Sequence, residues 1–217
     1  MKDIAIFGAG GFGREVACLI KKINEFLENE DDRWNIIGFF DDNPNLLGLE
    51  NEYGKVLGGK SKLNEWNSPL AVAIAIGNPQ VYRKVQGSII NPLVSFPNLV
   101  APDVTFYDEE NVRLGKGNII CSHCLISCNV SIGDFNIFND YTTIGHDAII
   151  GDYNCLMPAV RVSGSVKMGN CNFCGVDSVI LQGIKIGDDT KIGANSLIFQ
   201  KTKGGHTYIG NPAYLLI

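Results

Sequence analysis

From Leu114 to Ile198 the chain returns to an apolar residue every six positions, fifteen times without a miss when cysteine is counted. Only 45% of all residues are apolar, so a run of this length marks a true internal repeat. A period of six suits neither the 3.6-residue turn of a helix nor a lone hairpin. It suits a short strand followed by a corner, three of which close one triangular turn of eighteen residues. Eight of the fifteen anchors are followed by Gly, at 115, 133, 145, 151, 169, 175, 187 and 193, where a tight corner with positive φ is expected. The fourth residue after each anchor tends to be small or β-branched, as at Cys124, Val130, Thr142 and Ser178, leaving room in a cramped interior. Fifteen such units make five coils, about 24 Å tall at roughly 4.8 Å per strand spacing. Periodicity alone therefore predicts a triangular solenoid, and leaves its hand open.

The first ninety residues follow other rules. An apolar strand, Ile4 to Gly8, runs into the glycine-rich turn Gly8, Gly10, Gly11 and Gly13, and Arg14 to about Phe26 has the spacing of an amphipathic helix. Backbone N–H groups at such a helix start favour anions. A second strand ends in Asp41-Asp42, where a carboxylate can accept from a ribose, and a third ends at Gly77 ahead of a short helix from Pro79 to about Val85. Taken alone, a glycine-rich turn serves as readily for a tight bend as for a ligand. Three strand ends finishing in Gly or Asp raise the second reading, because in an open parallel sheet they converge on one crevice. Three prolines in "INPLVSFPNLVAPDV" mark the join, giving a Rossmann-like domain over 1–92 and a solenoid over 93–217.

Charge and cysteine narrow the class. A net charge of −5 offers no footprint for nucleic acid or an anionic membrane. No stretch approaches a membrane span, and "MKDIAIFGAG" lacks the pattern of a secretory signal. Seven cysteines do not form a disulfide framework, so free thiols in a reducing cytoplasm are expected. The spacing of Cys121, Cys124, Cys128, Cys171 and Cys174 invites a zinc reading. The repeat spreads them over different faces and coils, so packed thiols and no metal are expected.

One of the three histidines stands on a repeat corner with a carboxylate next door, in Ile144-Gly145-His146-Asp147. Imidazole is suited to taking a proton near neutral pH, and an adjacent carboxylate favours its charged form. The residues themselves leave His146 open between a structural corner and a catalytic base. His123, among thiols on an early coil, and His206, in a glycine-rich tail, read as packed or solvated.

Along nearly its whole length the chain resembles the bacterial nucleotide-amino-sugar acetyltransferases, relatives of sialic acid O-acetyltransferases within the hexapeptide-repeat acyltransferases. The stretches that carry the likeness are "IFGAGGFGREV", "IGFFDDN", "IAIGN", "IGHDAIIGDYN", "VSGSVKMGNCNFCGVDSVI", "IGDDTKIGAN" and "IGNPA", in the family's order. The resemblance implies a left-handed parallel β-helix behind the Rossmann-like domain. It assigns His146 as general base and Asp147 as its acidic neighbour. It places Gly10, Gly11, Phe12, Asp41, Asp42 and Gly77 at the nucleotide-sugar and Cys155, Gly164, Val176 and Ala194 at acetyl-CoA. It also implies a cytoplasmic homotrimer with active sites between adjacent solenoids. The chain departs from the pattern at Phe12 and Cys155, which stand where relatives carry His, at Asp147 for Glu and at Ala194 for Gly.

The activity so implied is acetyl-CoA-dependent N-acetylation of a nucleotide-linked amino sugar, in the synthesis of surface glycan precursors. Direct transfer needs no enzyme nucleophile, since the thioester is already activated. An acyl-cysteine route through Cys155 is the lesser expectation. Gly164 offers the backbone N–H best placed to meet an oxyanion, and Lys201 and Lys203 are candidates for coenzyme A phosphates. Three rivals stay open: O-acetylation of a sugar hydroxyl, a nicotinamide-dependent oxidoreductase, and a non-catalytic nucleotide-sugar-binding protein. Against the oxidoreductase, Asp41 lies beyond the usual spacing of about twenty residues from the first glycine.

Overall fold

The computed structural model describes residues 1–216; Ile217, the last residue of the solenoid domain as read above, lies outside the described residues. The chain divides into two compact units, Met1–Gly77 with Val81–Pro102, and Asn78–Gln80 with Asp103 onward.

The first unit is built on a six-stranded sheet. Its elements are β1 (Lys2–Phe7), α1 (Gly11–Phe26), β2 (Trp34–Phe40), β3 (Glu50–Asn51), β4 (Gly54–Gly58), α2 (Lys60–Asn64), β5 (Leu70–Ile74), α3 (Pro79–Ser88) and β6 (Val94–Ser95), and the strand order is β3-β4-β2-β1-β5-β6. All neighbours are parallel except β3, which folds back on β4. Consecutive buried residues, Ile4 to Phe7 in β1 and all of β5, are what a parallel strand covered on both faces requires. Helix α1 buries Gly13, Val16, Ala17, Leu19 and Ile20, the stripe its apolar spacing predicts, and begins three residues earlier than that spacing indicates. Strand order reverses between β1 and β5, so the crevice at their carboxyl ends is the topological switch point.

The second unit is a left-handed parallel β-helix of two-residue strands. From Arg113 to Ile198 each strand pairs with the one eighteen residues on, which makes three faces, and the first face is entered from Thr105–Phe106, twenty residues before its partner. The first face runs from Thr105–Phe106 through Leu125–Ile126, Thr143–Ile144, Arg161–Val162 and Val179–Ile180 to Leu197–Ile198. The second runs from Arg113–Leu114 to Lys185–Ile186, and the third carries Ile119–Ile120, Ile137–Phe138, Cys155–Leu156, Phe173–Cys174 and Lys191–Ile192. The anchors are the inner wall: Ile126, Phe138, Ile144, Leu156, Cys174 and Ile192 are all at most 1% exposed.

The corners differ from the sequence expectation. The glycines that follow the anchors do not have positive φ. That conformation falls two residues later, at every sixth residue from Gly117 to Asn195, and twelve of these residues are not glycine. Each L-residue there costs roughly 1–2 kcal/mol. The cost is offset because its N–H turns to the coil below, as in Asp147 N–H to the Cys128 carbonyl at 3.0 Å and Ser165 N–H to that of His146 at 2.7 Å. The anchor-following glycines are needed for contact instead. A Cβ at Gly133 would lie 2.9 Å from the Gly151 carbonyl oxygen, and one at Gly145 would lie 2.5 Å from the Gly164 nitrogen.

Between the second and third faces a column of buried asparagines closes the backbone accounts. Asn118, Asn136, Asn154 and Asn172 stack at eighteen-residue intervals. Asn154 Oδ1 accepts from both the N–H and Nδ2 of Asn172, at 3.0 and 2.9 Å. Asn136 Oδ1 accepts from Asn154 in the same way, and Thr190 ends the column by donating its N–H to Asn172 Oδ1. Asn154→Ala would leave two donors of Asn172 without their acceptor in a dry interior. The expected loss is about 3 kcal/mol in denaturant unfolding of the full chain. A change below about 0.5 kcal/mol would show that the column does not hold the coils.

Candidate active site

His146 and Asp147 occupy the corner that leads from the strand Thr143–Ile144 to Ile149–Ile150. Asp147 is the corner's positive-φ residue, at 59°, and Asp tolerates that conformation better than most. The turn brings its carboxylate back onto its neighbour, with Asp147 Oδ2 2.7 Å from His146 Nδ1. One coil below, Asn129 Nδ2 donates to the other oxygen, Oδ1, at 3.3 Å. The hydrogen bond from His146, and after it that from Asn129, holds the Asp147 carboxyl below its ordinary value. With the proton on Nδ1, where the carboxylate accepts it, Nε2 keeps its lone pair.

Directly above, eighteen residues on, is Gly164. A Cβ there would lie 2.5 Å from His146 Nε2, so the ring occupies the space a side chain would fill. Among the described residues the Gly164 N–H donates to no acceptor. Both side chains of the pair are about half exposed, 50% for His146 and 52% for Asp147. Beside Asp147 opens a cavity of about 440 Å³ lined by Glu110, Arg113, Asn129, Ser131 and Ile149 among others. Asn129 and this cavity escaped the sequence reading. The signal for Asn129 was its place eighteen residues before Asp147.

The other residues assigned to acetyl-CoA separate. Val176 and Ala194 stack on one another, Asn195 N–H donating to the Val176 carbonyl at 2.8 Å, and both are exposed. Their corner joins the third face to the first, at the other end of the first face from His146. Cys155 is not brought to either corner. It lies in a third-face strand, is 0% exposed, and burial beside Cys174 and Cys171 pushes its thiol well up. A thiol so placed is neither an accessible contact nor a nucleophile, so both readings of Cys155 are corrected. Cys124 and Cys174 are likewise pushed up to about 12 by burial. Among the described residues no cluster of three His, Cys, Asp or Glu side chains is placed to hold a metal.

His123 makes a second histidine–carboxylate pair, Nδ1 to Asp103 Oδ2 at 3.2 Å, and its ring stacks on Tyr141 at 4.9 Å. His206 is exposed, its Nδ1 2.6 Å from the Gly204 carbonyl.

In the first unit, the turn after β1 divides its glycines by role. Gly8 has φ 113° and a Cβ on it would meet the Ala75 carbonyl oxygen at 2.7 Å, while one on Gly13 would overlap the Gly8 carbonyl. Those two are structural. Gly10 and Gly11 are exposed, a Cβ on Gly10 would meet open space and one on Gly11 only Arg14 Nη2 at 3.9 Å, and Phe12 beside them is half-buried. Gly10 is the N-cap of α1, so the first amides of the helix lie at this opening without intrahelical partners. Asp41 braces the turn: Oδ2 accepts from Ala9 N–H and Oδ1 from Asn43 N–H, both at 2.9 Å. Asp42 Oδ1 caps Lys60 N–H at 2.8 Å, and its Oδ2 faces Lys60 Nζ at 3.4 Å. The two carboxylates line a cavity of about 590 Å³ with Gly58, Gly59, Lys60 and Lys62. Gly77 follows β5, the strand beside β1, so it ends at the same edge of the sheet as Gly10, Gly11, Phe12 and Asp41.

Residues 3–89 match the PglD N-terminal domain family. Over the whole chain, WeeI from Acinetobacter baumannii AYE is similar at 27% identity, covering 100% of both chains with a TM-score of 0.86. The acetyltransferase domain of PglB from Neisseria gonorrhoeae FA1090, solved in complex with acetyl coenzyme A, is 25% identical over 99% of each chain, again with a TM-score of 0.86. A mutant of perosamine N-acetyltransferase from Caulobacter crescentus, solved with CoA and GDP-perosamine, shares the fold at 23% identity, covering 100% of this chain and 97% of its own, with a TM-score of 0.84. No curated protein sequence matches the chain. Residues 3–89 thus match the PglD N-terminal domain family, and the chain shares from end to end the fold of the PglB acetyltransferase domain and of WeeI.

Proposed function

We propose that this protein is an acetyl-CoA-dependent N-acetyltransferase whose acceptor is the amino group of a nucleotide-linked amino sugar. The observation that carries the reading is the His146–Asp147 pair, with Nε2 lying against the side-chain-free Gly164. That arrangement supplies a base with an open face and a backbone N–H one coil above it. In the proposed reaction the acceptor amine attacks the thioester carbonyl, and His146 Nε2 takes the proton the nitrogen sheds. The Gly164 N–H meets the oxyanion. Collapse of the tetrahedral intermediate breaks the C–S bond, and the proton passes from the imidazolium to the departing thiolate, leaving amide and free CoA. Asp147 acts through His146, fixing its tautomer and favouring its charged form.

One solved protein of this fold in complex with acetyl coenzyme A, and one with CoA and GDP-perosamine, support the substrate classes. We assign the nucleotide-sugar to Gly10, Gly11, Phe12, Asp42 and Gly77, with Asp41 bracing the turn, and the donor to Gly164, Val176 and Ala194. Val176 and Ala194 stand a full face away from His146, which supports a homotrimer whose sites are completed by a neighbouring solenoid. Among the described residues no helix is long and apolar enough to cross a membrane. We place the enzyme in the cytoplasm, making precursors of surface polysaccharide.

The test is thiol release from acetyl-CoA against UDP-, GDP- and dTDP-linked amino sugars. Turnover with at least one is expected, falling roughly 10²–10⁴-fold in His146→Ala. Silence across the panel, or an active His146→Ala, would contradict the reading. Gly164→Ala should keep the fold, since the obstacle is the mobile end of a side chain, yet lower kcat about 100-fold by displacing the ring. Gly145→Ala, whose added atom meets backbone, should instead lower the melting temperature. For Asp147 the sign follows from a lowered folded-state pKa. Any stabilisation from the ionised carboxylate is complete above its unfolded value of about 3.9, and is lost only as pH falls through the lower folded one. A ¹³C titration should place the carboxyl midpoint below about 3.9 and show it rise in Asn129→Ala. A midpoint above that value would contradict the pairing.

A further inference from the structure

Two exposed rings stand on the corner that joins the third face to the first. The positive-φ residues of that corner form one column, His123, Tyr141, Ala159, Asp177 and Asn195, each one coil above the last. The His123 and Tyr141 rings stack at 4.9 Å and 29°. Asp103 Oδ2, 3.2 Å from His123 Nδ1, fixes the lower ring. The corner between the second and third faces carries a similar stack, Phe135 on Tyr153 at 5.3 Å, but packs it away, with Phe135 only 3% exposed. Tyr141, by contrast, is 60% exposed and the side chain of His123 52%. Ala159, next in the column, brings only a methyl over the upper face of the Tyr141 ring. An ordered aromatic face left to water adds little to the core of its own chain and is well suited to a ligand.

Height along the solenoid indicates what that ring meets. At about 4.8 Å per eighteen residues, Tyr141 lies within about 2 Å of the level of His146, whereas Val176 and Ala194 on its corner lie about 8 and 13 Å higher. If a neighbouring solenoid brings Val176 and Ala194 to the donor at the His146 corner, the same rigid corner brings Tyr141 to the level of the base. There it faces the ring that bears the attacking amine. On the His146 side that ring meets the cavity of about 440 Å³ lined by Glu110, Arg113, Asn129 and Ser131. One wall of the cleft is then polar and the other aromatic. A pyranose matches both, since its hydroxyls radiate outward while one face presents C–H groups to the negative face of an aromatic ring. We propose that Tyr141, backed by His123 and Asp103, selects the acceptor in the neighbouring subunit's site by stacking on the C–H face of its sugar ring; this rests on the transferase reading and the homotrimer above. An axial hydroxyl on that face would hold the sugar off the ring, so Tyr141 discriminates between sugars that differ at one such carbon. His123 acts through Tyr141 as a positioning residue.

Tyr141→Ala should fold, because Ala159 holds the same conformation, φ 61°, one coil above. The test uses acetyl-CoA with two nucleotide-linked amino sugars that differ only in one ring hydroxyl, equatorial or axial. Wild type should favour one of them about tenfold or more in kcat/KM. Tyr141→Ala should raise KM for the better acceptor about tenfold, leave KM for acetyl-CoA unchanged and bring the two sugars to within about threefold. Tyr141→Phe, which keeps the ring, should restore the selectivity. Inhibition by the free nucleotide should not change; a parallel loss there would put the base on the ring instead of the sugar and overturn the proposal. Co-expressed His146→Ala and Tyr141→Ala chains should exceed the sum of their separate activities at low acceptor concentration, because mixed trimers hold sites with both residues intact. Equal use of the two sugars by wild type, no gain on mixing, or unaltered KM and selectivity in Tyr141→Ala would overturn the proposal and leave the transferase reading standing. A wild type inactive on every acceptor would overturn that reading and the role of Tyr141 with it.

Discussion

Each corner of the solenoid is held by the corner eighteen residues away, through one backbone hydrogen bond from a residue in left-handed conformation to the carbonyl below it. Much else follows from that contact. It sets which residue of every hexapeptide must turn inward, which must turn out, and which must have no side chain. It also explains why the positions with positive φ hold His, Asn, Tyr, Asp and Ser as well as Gly. The torsional cost at each is small beside the hydrogen bonds that a closed coil completes on both sides.

The candidate site is a local use of the same rule. A side chain two residues past an anchor emerges at a corner, directly under its counterpart in the next coil. His146 is such a residue, and Gly164 is its counterpart; because Gly164 has no Cβ, the Nε2 end of the imidazole occupies the space beside the backbone above it. Asp147 is the left-handed residue of that corner, so its torsion and its hydrogen bond to His146 come from one backbone geometry. His146, its neighbouring carboxylate and the amide of the buried Gly164 are therefore placed by the fold with no long side chain to order. That is the kind of preorganisation that acyl transfer rewards.

The period, the strand positions and the core anchors were legible because a solenoid repeats one local pattern, and every copy reports the same burial. Helix α1 was legible from its apolar stripe. The glycines were legible as necessary and misread as to cause: their need arises from backbone eighteen residues away, which no local torsional rule reports. The asparagine column has the same period and went unseen, since each Asn looks like an ordinary turn residue until its neighbours are stacked on it. Asp41 also braces the turn, its oxygens capping Ala9 and Asn43, a role that local sequence did not announce. Cys155 was read as a contact from resemblance, and its full burial depends on surroundings that a hexapeptide pattern does not encode.

Acetylation of nitrogen at the His146 corner is the claim on which the account turns. Its most direct test follows the acetyl group itself, with acetyl-CoA labelled with ¹³C at the carbonyl and the product's carbonyl resonance read by NMR. The account predicts an amide signal on the nucleotide-linked sugar, formed in step with free CoA. An ester signal, or labelled acetate released with no sugar product, would contradict it.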